Sequence, residues 1–246
     1  MRYKLTIEYD GTNYCGFQKQ PDQPNKSVEE ILENAVFEFS KQRIKIFASG
    51  RTDTGVHALG QVVHFDLDKE FEPTQIASGI NHYLLKKDIA VLNCEIVDEN
   101  FHSRFNAKTR SYRYVIVNRR APLTLQKNRA WHLPNKLDIE SMKLAASFLI
   151  GLHDFSSFRD SKCSSNSSLR RIDNIEIKKL GDEIHIEISA KSFLHHMVRN
   201  IVGTLTWVGI GKIKAEKMKE ILEDKKRTSS GPNAPACGLY FLEVIF

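Results

Sequence analysis

The segment Gly50-Arg51-Thr52-Asp53-Thr54-Gly55-Val56-His57 is where this sequence is best equipped for chemistry. Asp53 follows Arg51 by two residues, between glycines that permit a tight and unusual backbone. A nearby guanidinium favours the ionised carboxylate. An ionised, positioned carboxylate is a nucleophile or a base. The same pattern also fits an Asx turn with a structural ion pair, and the local residues leave both readings open. Further along, Lys108, Arg110, Arg113, Arg119, Arg120, Lys127 and Arg129 interleave with Tyr112, Tyr114 and Trp131. Positive charge tracks a phosphate backbone and aromatic faces stack on bases. The mixture therefore fits an RNA-facing surface as well as a charged edge over core aromatics.

Other chemistries find less support. Cys15, Cys94, Cys163 and Cys237 are far apart, so no C-x-x-C spacing exists and free thiols are expected. The nine histidines show no H-x-x-x-H spacing. His195 and His196 are adjacent, and in any regular element they would point to different faces, so no metal site is expected. The net charge of +6 suits a polyanionic partner. No apolar run approaches the roughly 20 residues that span a bilayer. The N-terminus alternates apolar and polar residues like a strand and carries no apolar leader. A cytoplasmic protein without a membrane partner is expected.

The elements that must position Asp53 can be read from periodicity. Tyr3, Leu5, Ile7 and Tyr9 alternate with polar residues as a half-buried strand. A loop over 11–26 leads to Ser27, which can cap a helix over 28–41. A short strand, Ile44–Ala48, precedes the Asp53 loop, and the strand Gln61–Leu67 follows it. Pro73 opens a helix, and Ile89–Val97 forms another strand. The second half repeats the order. It offers a strand over Ser111–Val117, a helix from Asp138 stopped by Gly151, and a hairpin of 172–179 and 183–190. Helices over Phe193–Val208 and Ala215–Glu223 and a final strand Leu239–Phe246 complete it. Two β-α-β-β-α-β units predict a mixed α+β fold of two split-βαβ domains, ferredoxin-like or RRM-like, with antiparallel sheets flanked by helices. The domains are expected at 1–104 and 105–246. The aromatic string of RNA-recognition modules is absent. Ser156–Ser168 reads as a flexible loop.

Eight short segments then carry a resemblance. Gly50–Phe65 runs GRTDTGVHALGQVVHF, and Ile7–Gly11 with Gly16–Gln20 precede it. Phe101–Phe105, Tyr112–Tyr114, Asp154–Arg159, Phe193–Asn200 and Ala234–Phe241 follow in order. Together they resemble the tRNA pseudouridine synthase A family across nearly the whole chain. Phe17 stands where the family often has Trp, and Cys15 where it often has Tyr.

The resemblance implies an isomerase that converts uridine to pseudouridine at positions 38, 39 and 40 in the tRNA anticodon stem-loop. It implies that Asp53 is the catalytic carboxylate and that Arg51 pairs with it and positions the flipped nucleotide. Tyr112 would pack on the target base, and Leu239 would close an active cleft between the domains. Arg104 and Arg199 would face that cleft or the RNA backbone. It also implies a homodimer, with tRNA as partner and no cofactor. Two rivals stand against it. One is a non-catalytic RNA-binding protein, which would not need the GRTD segment. The other is an acid–base hydrolase, for which only His57 offers a local second group.

Overall fold

The computed structural model describes residues 1–20, 23–24 and 26–246. Residues 21, 22 and 25 of the expected first loop lie outside the described residues. In chain order the first elements are β1 (Arg2–Tyr9), α1 (Val28–Ser40), β2 (Phe47–Ala48), β3 (His57–Asp66), α2 (Pro73–Leu84) and β4 (Ile89–Val97). Then come β5 (Thr109–Val117), β6 (Trp131–His132), α3 (Ile139–Ser147), β7 (Gly151–Asp154), β8 (Leu169–Leu180) and β9 (Glu183–Ala190). The chain ends with α4 (Met197–Gly209), α5 (Lys217–Asp224) and β10 (Leu239–Ile245). Two compact units result. The first is Met1–Lys108 with Tyr240–Phe246, and the second is Thr109–Leu239. These bounds differ from a single cut after residue 104, because Tyr240 and Phe241 pair in parallel with His57 and Ala58.

In the first unit, β1 buries Tyr3, Leu5, Ile7 and Tyr9, the four residues that its alternation selects. It pairs antiparallel with β3 on one side and β4 on the other. β2 lies antiparallel to β3. The order β4-β1-β3-β2 is the one a split-βαβ unit produces. The Ser27 hydroxyl accepts the Glu30 N–H at 3.1 Å and starts α1, while Pro73 opens α2. A Cβ on Gly79 would fall 2.2 Å from the Phe39 ring, so only glycine lets α2 lie this close to α1.

In the second unit the strands run β5-β9-β8-β7, antiparallel throughout, with β6 parallel to the end of β5. The short strands β6 and β7 were not visible in the periodicity. Gly151 does not end α3 directly. The helix stops at Ser147, and Gly151 takes φ +106° to open β7. The helix expected from Phe193 begins only at Met197, because His196 sits at its N-cap with φ +59°. From Met197 onward α4 is buried on nearly every side.

That burial depends on direct backbone contact. A Cβ on Gly203 would stand 1.7 Å from the Pro232 oxygen, and one on Gly231 would stand 2.7 Å from the Gly203 oxygen. Neither neighbour is a flexible side-chain tip. Gly203→Ala should therefore destabilise the protein by about 1–3 kcal/mol or more, the usual cost of overpacking. Urea unfolding would check this, and an unchanged midpoint would contradict it.

Candidate active site

Asp53 lies half-buried in the loop that joins β2 to β3. The loop leaves the sheet, so its backbone groups need partners other than a neighbouring strand. The fully buried side chain of Gln61 supplies several. Its Nε2 donates to the Gly50 carbonyl at 2.8 Å. Its Oε1 accepts from the Ser49 hydroxyl at 2.6 Å and from the Val62 N–H at 3.2 Å. Tyr9 on β1 places its hydroxyl 2.8 Å from Thr52 Oγ1. Burial pushes the Tyr9 hydroxyl up to about 12, with the Thr52 and Gln61 bonds opposing it, so it stays protonated near neutral pH. Its hydrogen bond to Thr52 pegs the loop to β1.

The segment after β1 holds the same loop from its other side. Phe17 N–H donates to the Thr52 carbonyl at 3.0 Å, and Thr54 Oγ1 donates to the Cys15 carbonyl at 3.0 Å. Gly16 has φ +107°, and a Cβ there would lie 2.7 Å from the Thr52 oxygen. A Cβ on Gly11 would lie 2.0 Å from the Val56 oxygen. Within the loop, Val56 N–H closes a turn onto the Asp53 carbonyl at 3.1 Å, with Gly55 at φ +78°. Tyr9, Gly11 and Gly16 carry no local sequence mark of this role. The G-x-x-GQV spacing after Asp53 held a signal for Gln61, but nothing local says which way its amide turns.

Arg51 does not turn inward. Its side chain is exposed, and among the described residues it makes no hydrogen bond or ion pair with Asp53. Thr52 takes the buried direction between them and faces Tyr9, so Arg51 is left toward solvent. His57 offers little to hydrolytic chemistry. It is 2% exposed, its Nδ1 accepts the Gly11 N–H at 3.0 Å, and its ring stacks 4.7 Å from Tyr240. Arg104 is exposed in the turn after β4, with its guanidinium 5.8 Å from the Phe105 ring centre.

The second unit places the remaining candidates. Tyr112 on β5 is 9% exposed, opposite Ile188 and edge-on to Phe193 at 5.1 Å. Leu239 is buried at the start of β10. Arg199 is half-buried on α4, and its Nε donates to the Ala234 carbonyl at 2.7 Å while Ala234 N–H returns to the Arg199 carbonyl. The structure thus ties the Phe193–Asn200 block to the segment that leads into Leu239. His195 and His196 do not diverge as a regular element would require. Their rings lie 3.9 Å apart, and their Nδ1 atoms stand 3.6 and 2.7 Å from the two oxygens of Asp160. The left-handed backbone of His196 causes this convergence. The 2.7 Å contact is an imidazole–carboxylate hydrogen bond. It helps to hold the Asp160 carboxyl below its usual range, although burial works the other way.

Much of the basic stretch is engaged within the protein. Arg110 is buried and donates to the Lys191 carbonyl, Arg113 pairs with Glu187 at 2.8 Å, and Arg119 approaches Asp182 at 3.3 Å. Tyr114 is buried, with its hydroxyl on the Pro235 carbonyl, and Trp131 packs against it. Lys108, Arg120, Lys127 and Arg129 are exposed. The 156–168 loop is stapled and not loose. Arg159 donates to the carbonyls of Cys163 and Ser165, and Arg170 to those of Ser167 and Leu169. All four cysteines are free thiols. No helix among the described residues is long and apolar enough to cross a membrane.

The sequence is similar to known proteins over its full length. The family described as tRNA pseudouridine synthase matches residues 5–106 and 145–246. A tRNA pseudouridine synthase A of Ehrlichia ruminantium is 50% identical over 244 residues, covering 99% of each chain. Proteins of that name from Wolbachia pipientis and Anaplasma phagocytophilum are each 48% identical, again over 99% of both chains.

The clamp on the Asp53 loop is open to test. Gln61→Leu leaves Ser49 and Gly50 without their buried partner and should cost about 1–3 kcal/mol for each group left unpaired. Amide hydrogen exchange should rise first across 49–56, ahead of the rest of β3. Exchange that rises evenly through the first unit would instead make Gln61 an ordinary core residue.

Proposed function

We propose, on the premise that this chain belongs to the tRNA pseudouridine synthase family, that Asp53 is the carboxylate with which it isomerises uridine in tRNA. The observation that carries the assignment is the clamped loop. Gln61, Tyr9, Phe17 and Cys15 fix the backbone on both sides of one half-buried carboxylate. A reacting group held in place before substrate arrives needs no reorganisation during the reaction.

The chemistry asks for little else. The N-glycosidic bond breaks, the uracil turns, and its C5 bonds to the sugar carbon. Atoms and charge balance without an external donor. The carboxylate either adds to the sugar carbon or takes a proton from the sugar, and in both routes C5 later releases its proton. A uridine within a stem must leave its stack to reach a loop residue. Tyr112 provides the aromatic face for the displaced base. Arg51 is exposed and makes no ion pair among the described residues, which suits a guanidinium that meets a phosphate of the flipped nucleotide. Arg104 and Arg199 serve the RNA backbone, and Leu239 supplies apolar contact to the base.

The finer reading follows the family. The substrates are the neighbouring uridines of the anticodon stem-loop, the chain works as a cytoplasmic homodimer, and no cofactor takes part. The first half carries the aspartate loop, while the second contributes Tyr112 and the cations Arg120, Lys127 and Arg129.

Asp53→Asn should bind unmodified tRNA with wild-type affinity and form no pseudouridine, because the amide keeps the shape but loses the anion. Mapping pseudouridine in the product tRNA reads this, and a yield matching wild type would remove Asp53 from the mechanism. Tyr112→Ala should slow turnover by about 5- to 150-fold, the worth of one base–aromatic stack, with affinity and salt dependence nearly unchanged. Tyr112→Phe separates the roles of that residue. Retained activity assigns Tyr112 to stacking, and a loss equal to that of Ala assigns its hydroxyl to proton movement.

A further inference from the structure

Six rings of the first unit form a connected row outside the Asp53 loop. Phe246 meets Phe101 at 4.9 Å, and Phe101 meets His64 edge-on at 5.9 Å. His64 stacks on Phe47 at 5.0 Å and meets His102 at 4.8 Å. His102 in turn lies 4.3 Å from Phe105. His64 is buried, Phe101, His102 and Phe246 are half-buried, and the row surfaces fully at Phe47, 37% exposed, and Phe105, 74% exposed. A single exposed phenyl is unremarkable on a protein surface. This one is backed by the half-buried ring of His102 and joined through it to buried His64.

Two further features set its character. Lys45 Nζ lies 5.2 Å from the centre of Phe47, and the Arg104 guanidinium lies 5.8 Å from that of Phe105. Lys41, Arg43 and Lys45 alternate outward along the chain that enters β2. The histidines add no charge of their own. Burial, with nearby His102 and Arg2, brings His64 down to about 4, and burial also lowers His102, so both are neutral rings near pH 7. The platform is fixed from below as well. Ser103 donates its N–H to His64 Nδ1 at 3.2 Å and its hydroxyl to the Phe47 carbonyl at 2.7 Å. Phe47 is only six residues before Asp53, at most about 22 Å of extended chain.

We propose that Phe105 and Phe47, flanked by Arg104 and Lys45, are a base-stacking platform for an unpaired nucleotide of the bound RNA, separate from the flipped uridine. The proposal rests on the tRNA reading above and adds a second point of contact to it. Each cation lies over its ring, so an arriving base takes that face and the displaced charge meets the adjoining phosphate, a pairing that suits a nucleic-acid strand. A purely apolar protein partner would gain nothing from Lys45 and Arg104 at the same rings.

Equilibrium binding of an unmodified tRNA transcript to Phe105 variants tests it, with wild-type pseudouridine formation measured on the same transcript. Phe105→Ala and Phe105→Leu should each weaken binding by about 5- to 150-fold, the worth of one stacked base, at an unchanged salt slope. Phe105→Trp should bind at least as well as wild type. Arg104→Ala with Lys45→Ala should flatten the salt dependence, since fewer counterions are released. Melting temperatures should stay close to wild type, because the ring is exposed. Wild-type affinity in Phe105→Ala overturns the platform. So does wild-type affinity in Phe105→Leu, which would assign the site to apolar area and not to a ring face. If wild type binds tRNA but forms no pseudouridine, the catalytic reading fails on its own, because the binding series does not depend on turnover.

Discussion

The backbone of Gly50–Val56 leaves the sheet between β2 and β3, and its polar groups must be matched by something other than a strand. One side chain amide, Gln61, does most of this at the entrance by joining Ser49, Gly50 and Val62. An unpaired buried group costs far more than a made bond returns, so the loop has few alternatives to the observed path. Tyr9 and Thr52 lock the next position, and that pairing turns Thr52 inward and Arg51 outward. Asp53 then takes the direction that remains. The backbone on either side of it is set by these bonds, and among the described residues Arg51 makes no ion pair with it.

The second layer of constraint is close approach. Gly11 and Gly16 bring the segment after β1 against the carbonyls of Val56 and Thr52, where any side chain would collide. Gly203 and Gly231 do the same between α4 and the segment that leads to β10. There Asn200 donates to the Phe158 carbonyl and accepts from Arg227, and Arg199 and Ala234 exchange bonds. In both units, blocks far apart in sequence are held together by backbone groups that only glycine and a few amides can reach. Within each unit, short motifs scattered along the chain are thus brought into contact.

Several arginines show how context decides a charge. Arg110 and Arg113 look in sequence like a phosphate-binding series, yet the first is buried on a carbonyl and the second is matched by Glu187 across the β5–β9 pair. Arg159 sits in a stretch of serines that reads as loose and Arg170 at the start of β8 just beyond it, yet their guanidiniums bind the stretch's carbonyls and give it shape. A cation alone in sequence is a candidate for any anion. Only the fold says whether a carboxylate or carbonyl has already claimed it.

Period-two alternation chose the buried face of β1 correctly, and Ser27, Pro73 and Asp138 marked helix starts, because each acts on residues within a turn of itself. The β-α-β-β-α-β order of the first half, and with it the mixed fold and the loop that carries Asp53, was legible for the same reason. The family was legible from the blocks around Asp53, Tyr112 and His195, which are contiguous in sequence. Tertiary structure alone decided that Arg51 faces solvent, that Gln61 and Tyr9 hold the loop, and that His195 and His196 converge on Asp160. It also decided that Tyr240 and Phe241 pair with the start of β3, far back along the chain. Local sequence sets which torsions and faces are cheap. Which distant group meets a given amide, imidazole or guanidinium depends on where the backbone has already been brought.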